Sequence, residues 1–461
     1  MFWKVVQKHI EIDFKKQRGK FDVKSLKKSK FLIILMALFL VLSACSSNNA
    51  STSNSDSGKK DEEAKDDSKE EKVTIVYARG KDATGATDKI VEAFEAKHPN
   101  IDVEFREMPT DTGQQHDAYV TMLNAESSEI DVMDLDVIWP AEFAQANYLL
   151  PLDRFVQKDG INMDDYNPGP VTAATYNGKQ WAMPKFIDAG MLFYRTDIVS
   201  EVPKTWDDLI AESKELKGKE GTQFGYLMQA KQYEGLVCNA VEFVASYGGA
   251  FIDDNGEVVI NSPEAIKGLN KLVEVVNSDF VPDNVTTFTE VESHTAFIEG
   301  QAPFIRNWPY QYSLANNKEQ SKIVGNVAVA PLPEGDAGSA AALGGWMAGI
   351  NKYSEHPQEA WEFLKFMTGP EGQKLDAIHG SHAPTIPALF EDEEIIAKNP
   401  FFGEEGFVNA LNAAVSRPVA PNYPEISEII QINVSKAIAG QQTVEEAVAN
   451  METDMKAKLP K

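Results

Sequence analysis

Two short stretches and a few scattered acids carry the side chains with which this sequence could do chemistry. In FIRNWPYQYS, residues 304–313, three rings (Trp308, Tyr310 and Tyr312) stand close to Arg306 and Asn307, with Pro309 stiffening the chain. Such a segment either packs its rings into a core at a turn, as large aromatics usually do, or offers flat apolar faces beside strong hydrogen-bond donors. Asp136 falls in the strand-like run DVMDLDVIW, and Asp188 interrupts WAMPKFIDAGMLFYRTDIV. Carboxylates so placed can cap strand ends, pair with cations, accept from a ligand, or work as an acid and a base. His379 and His382, in HGSH, invite a metal reading. Neither has a nearby Cys or an obvious carboxylate set, so no metal is assigned. The chain has no nucleophile elbow, Walker motif or HExxH.

Bulk properties bound what those groups can serve. The chain has 461 residues, 43% hydrophobic and 25% charged, which is ordinary for globular proteins and long enough for two or three domains. Its net charge of −26 excludes a nucleic-acid partner, since a duplex binder must bring cations to the phosphates. Residues 1–44 carry ten Lys/Arg against three Asp/Glu, so the remainder is at −33. With only Cys45 and Cys238 there is no disulfide framework and no thiolate zinc site.

The elements that must position these residues alternate. VTIVYA reads as a strand, DKIVEAFEAKHP as an amphipathic helix, NIDVEFREM as a strand, QHDAYVTMLNA as a helix and DVMDLDVIW as a strand. Such alternation predicts α/β architecture with a parallel sheet and helices on its faces. Ligands of open sheets of this kind sit beyond the carboxyl ends of the strands, where Asp136, Asp111 and Thr112 fall. Asp188-Ala189-Gly190 within an apolar run suggests a crossover between lobes. Thr205 and Asp208 before WDDLIAESKEL form a near capping box. Helix patterns continue at EGLVCNAVEFVASYGG, where Cys238 reads as core filler, and at PEAIKGLNKLVEVVNS. GNVAVAPLP reads as another strand.

The amino-terminal region is an address and a tether. A basic stretch, a short apolar run over residues 31–42 and Leu42-Ser43-Ala44-Cys45 make a signal peptide, too short to span a bilayer comfortably. Leu-Ser-Ala-Cys resembles the bacterial lipobox, which implies that the Cys45 sulfur is acylated. The following 27 residues, almost without apolar side chains, read as a disordered tether, suited to the outer face of a Gram-positive-type cell membrane. Residues 1–22 carry Glu11, Asp13 and Asp22, unlike a signal peptide. Translation is therefore expected to begin at Val23, an expectation that fails if codon 23 is not GTG.

The ordered set of lipobox, strand–helix lobe, DAGMLFYRTD, NWPY, GGW before an apolar strand and a late SRPVAPNYPEISEIIQ resembles the family 1 extracellular solute-binding proteins of ABC importers, over nearly all of residues 73–461. KQYEGLVCNAVEF and RNWPY are most similar to the trehalose/maltose-binding subgroup. The resemblance implies an α/β, two-lobe periplasmic-binding-protein-like fold of type II, like maltose-binding protein. It further implies a hinge of three crossing segments near residues 187–190, 345–348 and 400–404, and a cleft that closes on its ligand. The implied layout is a signal peptide at 1–44, lipidated Cys and tether at 45–72, an N-lobe of 73–187 plus 347–400 and a C-lobe of 188–346 plus 401–461.

A sugar needs flat platforms for its C–H faces and planar polar groups for its hydroxyls. By the resemblance, Trp308, Tyr310 and Trp346 supply platforms, Asp136 and Asp188 accept, Arg417 donates a fork, and Gly345 lies among them; Thr110, Gln115 and Phe186 complete the ligand-binding set. Arg417 can equally clamp a carboxylate of its own lobe, and Arg306 and Tyr312 read as structural. Where the subgroup tends to carry an arginine this chain has Gln115 and His116, and Phe186 stands where it has a tyrosine, so a charged donor and a hydroxyl are missing. The expected function is capture of a maltose- or trehalose-type disaccharide or short oligosaccharide and delivery to the transmembrane subunits of an ABC permease. The protein would be a monomer held to the membrane by its lipid, with no catalytic residue and no cofactor. A secreted glycoside hydrolase using Asp136 and Asp188, or a receptor reporting to a membrane sensor, are the competing classes.

Overall fold

Residues 72–459, apart from 254, 419 and 421, are described by the computed structural model. The apolar run, Cys45, the tether and the start at Val23 lie outside them. Among the described residues no helix is long and apolar enough to cross a membrane.

The strands are β1 (Val73–Gly80), β2 (Ile101–Met108), β3 (Val132–Asp136), β4 (Thr175–Tyr176), β5 (Lys179–Gln180), β6 (Met183–Ala189), β7 (Met191–Arg195), β8 (Tyr226–Leu227), β9 (Phe304–Asn307), β10 (Val327–Ala330), β11 (Ala341–Ile350), β12 (Ala383–Pro384) and β13 (Ala414–Val415). They form a seven-stranded sheet in the order β12-β6-β11-β3-β1-β2 with β13 on β11, a four-stranded sheet β10-β7-β9-β8, and a hairpin β4-β5. The expected parallel arrangement holds at one edge, where β1 runs parallel to both β2 and β3, and in the short pairings of β13 with β11 and β8 with β9. β11 is antiparallel to β3 and β6, so the large sheet is mixed. The reason is topological: β1, β2 and β3 follow one another through helices, and such crossovers return strands in parallel, whereas β11 enters after the chain has built the second sheet.

Each local element has a legible cause. The helix Ala86–Lys97 buries Ile90 and Phe94, four residues apart, and Phe94 meets Phe363 edge-on at 5.1 Å. Its start is fastened by Asp82, whose Oδ2 accepts from the Thr87 amide at 2.7 Å. The helix Thr112–Asn124 is capped by Asp111, and the helix Trp206–Leu216 opens on the expected Thr205/Asp208 capping box. Glu234–Ser246 is buried on nearly all sides, including Cys238, as an apolar helix inside a large lobe must be.

The chain passes from β6 in the large sheet to β7 in the small one across Gly190 alone. β11 already pairs with β6 from Leu343 onward, while its start at Ala341 and Ala342 pairs with β13. Beneath this region Arg306 and Glu242 form an ion pair, both side chains fully buried. A Cβ at Gly190 would come within 2.8 Å of the Arg306 guanidinium, so only glycine lets the crossing strand lie against that pair.

Candidate functional site

The carboxyl ends of β1 and β3, the crossing segments of β6 and β11, and the starts of the helices Glu234–Ser246 and Glu290–Ile298 border one cavity of about 460 Å³. All ten residues expected to contact ligand line it: Thr110, Gln115, Asp136, Phe186, Asp188, Trp308, Tyr310, Gly345, Trp346 and Arg417. Sheet register explains part of the grouping. Trp346 on β11 is paired with Asp136 on one side and Phe186 on the other, and Gly344 with Asp188.

The rings are held by their neighbours. The Arg306 guanidinium lies 4.0 Å from the centre of the Trp308 ring, and Trp308 Nε1 donates to Glu290 Oε1 at 3.2 Å. Glu290 Oε2 accepts from the Tyr233 hydroxyl at 2.8 Å, so one carboxylate orients two aromatic side chains. The Tyr310 hydroxyl meets His294 Nδ1 at 3.2 Å; burial pushes His294 down to about 4, which keeps it neutral. Trp346 packs edge-on against Trp139 at 5.7 Å. Trp308, Tyr310 and Trp346 each remain partly exposed. Arg306 and Tyr312 take the structural parts expected of them, Tyr312 stacking on Phe401 at 4.3 Å.

The two acids differ. Asp136 has both oxygens facing Arg417, whose Nη1 also donates to Glu234 Oε1 at 2.9 Å. Glu234 further accepts from the Tyr423 and Ser427 hydroxyls at 2.5 Å each. Burial drives Glu234 above its ordinary range with Arg417 pulling against it. Both Nη atoms of Arg417 therefore face carboxylates drawn from two elements, and its Nε is a buried donor without a partner among the described residues. Asp188 is the opposite case: it is buried, and its Oδ1 has no partner among the described residues. Desolvation foremost, with Asp376 and Asp136 adding to it and His382 and Arg306 opposing, pushes its carboxyl up to about 7.

Gln115 is buried and donates to the Tyr119 hydroxyl at 3.1 Å, and Thr110 is exposed on the loop after β2. His116, beside it, turns away to Glu142 at 3.1 Å. Gly345 adopts φ +130, and a Cβ there would stand 2.6 Å from the Phe186 carbonyl oxygen. Phe186 stacks on His382, ring centres 4.2 Å apart and 14° from parallel. His382 Nδ1 lies 2.7 Å from Asp376 Oδ1. Among the described residues no group of three or more His, Cys, Asp or Glu is arranged to hold a metal ion.

Several lining residues escaped the sequence reading. Tyr233 and Glu234 lie inside the KQYEGLVCNAVEF stretch that carries the resemblance, and Glu290 is the first residue of a helix behind the Thr289 cap, which is a visible signal. Cys238 also reaches the cavity wall, a placement that a core position does not forbid. His382 offered only its HGSH spacing.

The profile of the bacterial extracellular solute-binding protein family matches residues 79–374. A protein of Deinococcus radiodurans described as a probable ABC transporter-binding protein is 32% identical over 408 residues, 82% of this chain and 95% of the relative. Maltose-bound MalE3 of T. maritima superimposes with a TM-score of 0.79 at 38% identity, covering 84% of this chain and all of that one. The GacH receptor of Streptomyces glaucescens, solved unliganded and with acarbose, gives 0.75 at 24% identity over 84% of this chain and 98% of that one, a likeness of fold.

Proposed function

Because the chain belongs to the bacterial extracellular solute-binding proteins, we propose that it captures a disaccharide or short oligosaccharide of the maltose or trehalose type and hands it to the transmembrane subunits of an ABC permease. The observation that carries this reading is the meeting, in one cavity, of three partly exposed rings, Trp308, Tyr310 and Trp346, with a buried carboxylate oxygen of Asp188 that has no partner among the described residues. Rings of fixed orientation suit the apolar faces of a sugar, and a desolvated acceptor gains most from a hydroxyl that reaches it. The volume falls among small-ligand sites, about 300–1,000 Å³. The maltose-bound neighbour at 38% identity supports the same class of ligand.

The lobes proposed are 73–187 plus 347–400 and 188–346 plus 401–461, turning about the segments near 187–190, 345–348 and 400–404. The passage from one sheet to the other across Gly190 and the span of β11 between β13 and β3 support this division. Ligand favours closure through its greater affinity for the closed state. No bond of the ligand is broken in this reading; the engagement of Asp136 by Arg417 speaks for a binding role over an acid or base of a hydrolase. Cys45 is the acylated anchor, and the protein is a monomer on the outer face of the membrane. Cys45→Ser would shift it from the membrane fraction to the medium; retention at the membrane would refute the anchor.

The test is thermal shift of residues 73–461 against maltose, trehalose, maltotriose, sucrose and further oligosaccharides, with the sugar recovered afterwards. A ligand at a hundred times its Kd adds about 2.7 kcal/mol. A large shift with intact sugar supports capture, hydrolysed sugar supports the enzyme, and no shift with any sugar defeats the sugar reading.

A further inference from the structure

His382 stands where a ligand held by Asp188 would meet it, and its chemistry is prepared by a second residue. β12 pairs with β6 so that Ala383 faces Ile187 and Pro384 faces Phe186. One residue further in the same antiparallel register, His382 falls opposite Asp188. The imidazole is 5% exposed, lies on the Phe186 ring at 4.2 Å and borders the cavity. A Cβ at Gly380 would come within 2.6 Å of its Nδ1, so the turn before β12 leaves the ring just the space it occupies.

The two ring nitrogens have different surroundings. Nδ1 is 2.7 Å from Asp376 Oδ1. Burial alone would raise Asp376, but His382 and Lys185 beside it hold it below the usual carboxylate range, so it is an ionised acceptor and Nδ1 carries the proton. Nε2 makes no hydrogen bond among the described residues, and the residue lines the cavity. In the neutral imidazole so held, the proton sits on Nδ1 and the lone pair of Nε2 is left as the acceptor. Phe186, flat against the ring, offers no hydrogen bond of its own and fixes the imidazole plane.

From this arrangement we infer that His382 is a specificity-determining ligand contact, accepting a hydroxyl hydrogen beside the one accepted by Asp188, and that Asp376 is the positioning residue that fixes its tautomer. The inference rests on the sugar-binding reading above and deepens it: this wall asks one ligand ring for two neighbouring donors, the pattern of a vicinal diol. A ring lacking either hydroxyl would leave a buried acceptor unpaired, which is how polar sites reject such analogues.

The experiment takes the sugar giving the largest thermal shift, with its monodeoxy analogues, and measures Kd by calorimetry for the wild type, His382→Phe and Asp376→Asn. The Phe variant keeps the stack on Phe186 and removes the nitrogen. It should raise Kd for the parent sugar about tenfold, and one monodeoxy analogue that binds the wild type weakly should bind wild type and variant alike. Long-range ¹H–¹⁵N spectra of the wild type, with His382 assigned by its loss in His382→Gln, should show a bare Nε2 whose resonance moves on adding sugar. Asp376→Asn should populate the other tautomer. An unchanged Kd in a folded His382→Phe protein, or an Nε2 resonance unmoved at saturating sugar, overturns the inference; where the Phe variant does not fold, the resonance decides. A wild type that binds no sugar at all removes the sugar reading and this inference together, whereas binding with an unmoved resonance removes only this one.

Discussion

Arg417 grips Asp136 across 281 residues of sequence, Nη1 standing 3.1 Å from Oδ2 with Nη2 on the other oxygen. The same Nη1 donates to Glu234, so one guanidinium joins the end of β3 to the start of the helix Glu234–Ser246. The fork that sequence suggested for a ligand is turned on two carboxylates, and its effect is to fix where Asp136 points.

Arg417→Met would leave Asp136 and Glu234 buried without their cation. Breaking a buried pair by removing one partner costs about 3–5 kcal/mol. The melting temperature of the variant should fall sharply, while Arg417→Lys, which keeps the charge and loses the fork, should fall less. Equal melting temperatures for wild type and Met variant would show that the network contributes nothing to stability.

Trp346→Ala should raise Kd for the sugar more than about tenfold if that ring is a platform. Trp308→Phe keeps an aromatic face over Arg306 but loses the bond to Glu290, so its effect should be smaller. Titration by intrinsic fluorescence measures both. Full affinity in a correctly folded Trp346→Ala protein would remove the ring from the site.

The raised Asp188 carboxyl predicts how binding changes with pH. In the folded chain it titrates at about 7, against about 3.9 when exposed. Between these values the folded state holds the extra proton, so the stability this group contributes is complete below about 3.9 and is lost as pH rises through about 7. Ligand hydroxyls donating to the carboxylate favour its ionised form, so affinity should run the other way. Kd should be about tenfold higher at pH 6 than at pH 8. Asp136, Asp376 and His382 also face this group, so the control is Asp188→Asn, in which the dependence should flatten. A profile that survives in that variant belongs to one of the others.

Gly345→Ala places a side chain at φ +130 and a methyl 2.6 Å from the Phe186 carbonyl oxygen. The expected cost is about 1–3 kcal/mol, read in denaturant unfolding. Affinity should drop as well, since Phe186 and Trp346 are displaced together. A variant as stable as the wild type would mean the strand shifts to accept the methyl.

Much of the fold was legible because it is local. The strand and helix patterns at 73–136, the crossover at Asp188 and Gly190 and the capping box at Thr205 depend on periodicity, turn chemistry and short-range hydrogen bonds. The direction of β11 was not, because an alternating pattern specifies neighbours only when successive strands pair, and this strand pairs with β3 and β6 across long loops of sequence.

By itself, the sequence argued against a nucleic-acid partner through its charge and pointed to the aromatic and acidic candidates through their motifs. Tertiary structure alone decided which candidates have a free valence. Asp136 and Asp188 look alike in sequence, each an acid at the end of an apolar run; folding gives the first to Arg417 and leaves an oxygen of the second unpaired among the described residues. His382 was one of two histidines in HGSH until the pairing of β12 with β6 laid it on Phe186 and Asp376 took its Nδ1. A side chain's type states what it can bond, but its partners are set by contacts between distant segments, which no local pattern encodes.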